Sequence, residues 1–243
     1  MGGLGNQFFQ YATARNLSIV HKSELRCDFR RYRKYTKNLS HFQALKYFGV
    51  VCKQASYIEV FLIKYIFRNT YKEMMNNSLK KEIFELPDNT YVQGYFLSFK
   101  YFNDIRSILV KELQPNIELS DYCMNMLKLI NGENSVFLHV RRGDYLNPGN
   151  IENTVEISSL NYYRNSINYI LTQVREPQFF VFSDDIDWAE ENINIRNAIY
   201  IKNNSEHRTV EDFWLMRCCR HGVLSGASTF SWWAAYLDNR PGK

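Results

Sequence analysis

From Gln7 to His21, Phe8, Tyr11, Ala12 and Leu17 recur near helical spacing, so a helix is expected there after a glycine-rich start. Leu25–Phe29 reads as a short strand, 53–67 as a helix, 91–96 (YVQGYF) as a strand and 99–113 as a further helix, with Pro115 as a stop. Beyond Pro115 the rhythm is more regular. A helix over 120–130 leads to a strand over 136–140. There follow a helix at 161–174, a strand at 179–182, a helix at 187–193 and a strand at 198–201. A helix at 210–220, a strand at 222–225 and a last helix from Ser231 complete the pattern. Apolar strands of four or five residues alternating with helices predict buried parallel strands in an α/β sheet. Ligands of such sheets lie outside the carboxyl ends of the strands. Chemistry is therefore expected just after Val140, Phe182 and Ser225.

Composition narrows this picture only a little. With 243 residues, 45% hydrophobic and 23% charged, the chain suits one large or two small globular domains. Aromatic residues reach 16%; a Tyr- and Phe-rich core explains most of them, and sugar stacking is the other use of such rings. Net charge is +5, a modest excess that favours an anionic ligand or membrane surface without requiring one. Arg30, Arg31, Arg33 and Lys34, interleaved with Tyr32 and Tyr35, read as a solvated loop. The same composition suits a nucleic-acid patch or a face near anionic lipid. Five cysteines, odd in number and without a CxxC pair, argue against a disulfide framework or zinc knuckle and for a reducing compartment. Neither a signal peptide nor a membrane span is expected; the apolar stretch 57–67 is short and is interrupted by Glu59 and Lys64.

The strand ends hold the most unusual local sequences. The first is His139-Val-Arg-Arg-Gly-Asp-Tyr145. Arg141 and Arg142 together are costly to bury without an anion, and a pyrophosphate would meet their forked donors. The plainer alternative pairs them with Asp144 and other carboxylates. At the second strand end, Phe182-Ser183-Asp184-Asp185, a carboxylate could accept the amidine edge of guanine. Asp185-Ile-Asp187 also matches a metal-holding DxD, although Asp187 reads equally well as a helix cap. The third, Ser225-Gly-Ala-Ser-Thr-Phe-Ser-Trp-Trp233, offers hydroxyls and backbone N–H groups at a helix start. That is either an anion cradle or a plain cap by Ser228 or Thr229. Gly2-Gly-Leu-Gly-Asn-Gln7 is neither a Walker loop nor GxGxxG, yet it would permit close approach of a phosphate or sugar.

Together these segments resemble the bacterial α-1,2-fucosyltransferases. That family shows GGLGNQxFQYA, HxRRGDY, FSDD and STFSWWAA in this order, and GYFxSxKYF (94–102) and EDFWLM (211–216) are similar too. The resemblance implies an α/β, GT-B-like fold of two Rossmann-like domains facing each other across a cleft. An acceptor-side domain would span 1–115 and a GDP-fucose-binding domain 116–243. It implies an inverting enzyme that moves L-fucose from GDP-fucose to the 2-hydroxyl of a galactose, for surface polysaccharide (O-antigen or capsule) synthesis, with no metal and no cofactor. By position, Arg141 contacts the β-phosphate and His139 the nucleotide, with Arg142 beside them. Asp184 or Asp185 reads guanine; Ser228, Thr229, Phe230 and Ser231 hold the diphosphate; Asn6 sits near the fucose. Asp144 is a weak candidate for a general base. The expected setting is cytoplasmic, with peripheral contact at the inner face of the membrane; no nucleic-acid partner is expected. Family members usually carry a strand before GGLGNQ and several tens of residues after the tryptophans, so truncation at both ends is an expectation. A non-catalytic GDP-binding or interaction module is the alternative function. Ala227 also stands where an Asn is common.

Overall fold

The computed structural model describes residues 2–30, 44–73, 79–132, 134–142, 158–226 and 228–240. Asp144, Ala227 and most of the basic run after Arg30 lie outside them. The chain forms two compact units, Met1–Asn116 and Ile117–Lys243.

The first unit is organised by helix α1, Leu4–Val20. Gly3 is extended and the helix starts directly after it, three residues earlier than the hydrophobic pattern implied, so Gly5 and Asn6 are helical. Leu4, Phe8, Phe9, Tyr11 and Ala12 are buried. Phe8 meets Phe48 edge-on at 4.9 Å, and Phe9 meets Phe102 at 5.6 Å. Polar residues of the same helix fasten distant segments. The Gln7 amide donates to the Gly2 carbonyl (3.0 Å) and accepts from the Leu45 amide (3.3 Å). Asn16 donates to the Tyr101 carbonyl (2.8 Å). Glu112 takes the Tyr11 hydroxyl (2.5 Å) and the Arg15 guanidinium (2.9 Å). Burial and the Glu112 hydrogen bond push the Tyr11 phenol above its ordinary range, which keeps it a donor.

Two short parallel pairs complete the unit's sheet structure. β1 (Arg26–Cys27) pairs with β2 (Lys53–Gln54), and β3 (Thr70–Lys72) with β4 (Tyr91–Gln93). After β4 the chain turns sharply at Gly94. A Cβ there would lie 2.5 Å from the Cβ of Glu73, so the position requires glycine. The Glu73 carboxylate accepts the amides of Tyr95 (2.9 Å) and Phe96 (2.6 Å), holding Phe96 at φ 54°. The helix expected over 53–67 is shorter: α2, Tyr57–Phe61, runs into a π-helical stretch, Leu62–Ile66. Ser56 and Glu59 form a reciprocal capping box at its start. The helix expected over 99–113 is two 3₁₀ turns, Phe99–Tyr101 and Asn103–Ile105, and then α3, Arg106–Glu112. Phe102 interrupts it because its backbone (φ −147°, ψ 11°) is not helical.

The second unit follows the alternation closely. Its elements are α4 (Asp121–Ile130), β5 (Ser135–Val140), α5 (Leu160–Gln173), β6 (Gln178–Ser183), α6 (Ile186–Asn192), β7 (Ile199–Tyr200), α7 (Arg208–Cys218), β8 (His221–Val223) and α8 (Thr229–Tyr236). The four strands form one parallel sheet in the order β7-β6-β5-β8. β5 is buried along its whole length, as a central strand covered on both faces must be. Leu138, Val140, Val181 and Val223 pack with Tyr163 of α5 and Ala189 of α6 into one cluster. Gly222 lets β8 approach β5: a Cβ there would stand 2.2 Å from the Phe137 ring.

Candidate active site

The strand order sets the place of the site. From β5 the chain steps to β6 and then β7 on one side, and β8 returns to the other side of β5. Open parallel sheets bind their ligands at such a reversal, here the carboxyl ends of β5 and β8. His139, Arg141 and Arg142 leave β5 at this edge, and Ser225 follows β8. The Arg141 amide donates to the Ser225 hydroxyl at 3.3 Å, and the Tyr163 hydroxyl lies 3.1 Å from the same oxygen. On the other flank, the Ser183 hydroxyl donates to the Val140 carbonyl at 2.9 Å.

Charge at the edge is matched by sheet register. Val140 stands opposite Ser183, so the residues after each strand meet. The Arg141 guanidinium reaches Asp184 Oδ2 at 2.9 Å, and the Arg142 amide donates to Asp184 Oδ1 at 2.9 Å. Arg142 Nε lies 3.4 Å from Asp185 Oδ2, and its guanidinium is stacked 3.5 Å over the Trp188 ring. The Arg141 and Arg142 side chains are 28% and 20% exposed, so neither extends fully into bulk solvent. The plainer expectation paired the arginines with Asp144 and other carboxylates; Asp184 and Asp185 are such carboxylates, and Asp144 lies outside the described residues. Asp185 is also the cap of α6, accepting the Trp188 amide at 3.3 Å, whereas Asp187 lies inside the first turn.

His139 Nδ1, in a side chain that is almost fully buried, Arg142 Nε, and the Ser231 hydroxyl, in the first turn of α8, have no hydrogen-bond partner among the described residues. Burial, with the Arg141 charge adding to it, lowers the His139 pKa to about 3, so the ring is neutral. A chain of rings, His139 to Phe230 at 5.8 Å and Phe230 to Phe213 at 5.7 Å, forms the apolar floor. Ser228 stands at the cap position of α8 without making a side-chain capping bond, and Thr229 and Phe230 open the helix. Sequence reasoning placed Ser183 and Ser225 in the strand-end motifs without giving either a role, and it missed Tyr163 and Trp188. Only position relative to a strand end could have pointed to them, because their partners depend on register. Among the described residues no group of three or more His, Cys, Asp or Glu side chains could hold a metal ion. Asn6, the remaining candidate, lies in the first turn of α1 in the other unit.

A parallel sheet with two arginines at its switch point offers an anion-binding edge, and comparison with known proteins gives the class: a glycosyltransferase. An alpha-1,2-colitosyltransferase of Escherichia coli is 30% identical over 98% of this chain and 86% of its own. The O-antigen biosynthesis glycosyltransferase WbnK of Escherichia coli is 31% identical over 98% of this chain and 88% of its own. Galactoside alpha-(1,2)-fucosyltransferase 2 of Bos taurus is 27% identical over 67% of this chain and 49% of its own. The chain belongs to glycosyl transferase family 11, which it matches over residues 1–242.

Proposed function

We propose that the chain is an inverting α-1,2-fucosyltransferase that uses GDP-fucose and a galactose-containing glycan acceptor in surface polysaccharide synthesis. The observation that carries this reading is the pair of half-buried arginines at the switch point, beside the unpartnered Ser231 hydroxyl and the neutral His139. In the ligand-free chain Asp184 and Asp185 supply the negative charge that the guanidiniums require. A diphosphate at the switch point supplies it instead, with bidentate geometry and more charge. Ser228, Thr229 and Ser231 at the start of α8 suit the same anion, since a helix N-terminus favours negative charge. Asp184 or Asp185, released from its arginine, reads the guanine edge.

The reaction then follows from where charge develops. The acceptor 2-hydroxyl oxygen attacks the anomeric carbon from the face opposite GDP. A new C–O bond forms, the bond to the β-phosphate oxygen breaks with its electron pair, and the hydroxyl proton passes to a base or to water. Negative charge grows on the β-phosphate as the sugar becomes cationic. Arg141 aimed at that oxygen stabilises the transition state more than the bound donor. Asp144 is the candidate base, Asn6 the candidate fucose contact, and no metal is required. The α-1,2 linkage is common to the names of the colitosyl and fucosyl relatives, while their sugars differ, so the choice of donor is the point to test. Turnover should be measured with GDP-fucose, GDP-colitose, GDP-mannose and UDP-galactose, with and without chelator. The reading expects transfer from GDP-fucose that the chelator leaves unchanged. A preference for UDP-galactose or GDP-mannose, or GDP binding with neither transfer nor hydrolysis, would overturn it; the last result would identify a non-catalytic binding module.

A further inference from the structure

An amphipathic helix on a globular protein normally turns its apolar stripe inward. The segment 57–67 does the reverse. Its inward side is Val60, buried, with Ile63 and Lys64 partly buried. Its outward side is Tyr57, Ile58, Phe61, Leu62, Tyr65, Ile66 and Phe67, all between 37% and 69% exposed. These residues form two adjacent rows. Tyr57, Phe61 and Tyr65 make a ladder of rings with centroids 6.3 and 5.4 Å apart, and Ile58, Leu62 and Ile66 run beside it. The polar groups of the segment are occupied inward or at the flank. Glu59 closes the capping box and pairs with Arg26, and Lys64 Nζ lies 4.3 Å over the Tyr91 ring. Exposed Arg68 and Lys72 follow the apolar stretch in sequence, and exposed Lys53 before it pairs with Glu24, so 53–72 carries four basic residues against one acid of its own. Among the described residues, no helix is long and apolar enough to cross a membrane.

We propose that this face is an interfacial anchor that lies in the surface of a membrane containing anionic phospholipid. Rings with one polar edge, Tyr57 and Tyr65, suit the headgroup boundary, while Ile58, Leu62, Ile66 and Phe67 enter the acyl region. The bordering Lys and Arg residues meet lipid phosphate, and it is this charge match that selects an anionic bilayer as the occupant. The proposal is independent of the donor sugar, because it involves no residue of the sheet-edge site.

The experiment is vesicle co-sedimentation of the full chain with mixed phosphatidylglycerol and phosphatidylethanolamine, and with phosphatidylcholine alone. Wild type is expected to sediment with the anionic vesicles, less with the neutral ones, and less at high salt. The variant Ile58→Ser/Tyr65→Ser/Ile66→Ser/Phe67→Ser should bind the anionic vesicles at least ~10-fold more weakly while keeping its melting temperature, since the side chains removed are exposed. Arg68→Glu/Lys72→Glu, which leaves the apolar face intact, should weaken anionic binding by roughly 10-fold and erase the preference over neutral vesicles. Wild type that ignores both vesicles, or a serine variant that binds as well as wild type, would overturn the proposal. So would sedimentation velocity showing a wild-type dimer that the serine variant loses, without vesicle binding, since the face would then be an interface between copies of the chain.

Discussion

Two clusters of buried charge and hydroxyl groups in the second unit differ in one respect. Around Glu211 every demand is met from within the chain. Its carboxylate accepts the Ser120 amide (2.6 Å) and hydroxyl (3.0 Å), the Asn203 amide (3.0 Å) and the Ser205 hydroxyl (2.5 Å). Burial alone would raise its pKa, but these hydrogen bonds together lower it, so the carboxylate is ionised and satisfied. At the sheet edge, Arg141 pairs with Asp184 and Arg142 lies near Asp185, yet Arg142 Nε, His139 Nδ1 and, in α8, the Ser231 hydroxyl have no hydrogen-bond partner among the described residues. A buried polar atom left unpaired costs about 1–3 kcal/mol. A complete cluster marks a structural fastening, here tying α4 and the 203–205 loop to α7. An incomplete one leaves donors and acceptors that a ligand can meet.

That contrast can be broken from either side. The largest effect belongs to Arg141→Ala. It should lower the rate of sugar transfer by ~100- to 1000-fold, because the donor aimed at the leaving phosphate is gone. Its unfolding free energy should move by less than about 1 kcal/mol, since the Arg141–Asp184 pair is partly exposed. Assaying initial rates beside urea unfolding separates the two, and a variant crippled in stability and intact in rate would reverse the assignments. Glu211→Ala should show the opposite pattern. It strands several donors and should cost about 2–3 kcal/mol in urea unfolding, while the folded fraction binds GDP as wild type does.

A smaller effect concerns Asp212, next to Glu211 in sequence but differently placed. Burial raises its pKa to about 7, and the Asn203 amide and Arg208 only partly offset this. Stability linked to Asp212 is therefore fully present below the ordinary aspartate value near 4 and is lost as pH rises through 7. His139 works the other way. Its pKa is depressed to about 3, so stability linked to it falls as pH drops below the ordinary value of 6.5. The two slopes oppose each other between about pH 4 and 6.5. Asp212→Asn should gain about 1 kcal/mol at pH 8 and expose the His139 slope, so that the variant loses stability more steeply on acidification. Melting temperatures across pH 4–8 would show it, and parallel curves for variant and wild type would refute the placement. The smallest change is Ser231→Ala. Removing a hydroxyl without a partner should leave stability within about 0.5 kcal/mol and weaken GDP by roughly fivefold, measured by titration calorimetry.

Legibility in the sequence followed strand length and burial. In the second unit, strands such as Phe179–Phe182 are runs of apolar residues between helices of seven residues or more, so element type and order could be read directly. In the first unit, β2 is the exposed dipeptide Lys53–Gln54, which has no apolar pattern to read. The 3₁₀ turns at 99–105 arise from one non-helical residue, Phe102, inside an otherwise helical periodicity. At the site, Arg141 and Arg142 stood out because paired guanidiniums at a strand end need an anion. Which carboxylates meet them depends on Val140 lying opposite Ser183, a register that no local pattern encodes. The outward apolar face of 57–67 was hidden for a related reason: periodicity reveals a stripe but not the direction in which it points.

The central claim is that the guanidiniums at the carboxyl end of β5 hold a nucleoside diphosphate. Calorimetric titration of GDP into wild type and Arg141→Ala, in chelator and at matched salt, tests it most directly. The account predicts saturable binding to wild type and at least ~10-fold weaker binding to the variant. Equal affinity for the two proteins would contradict it.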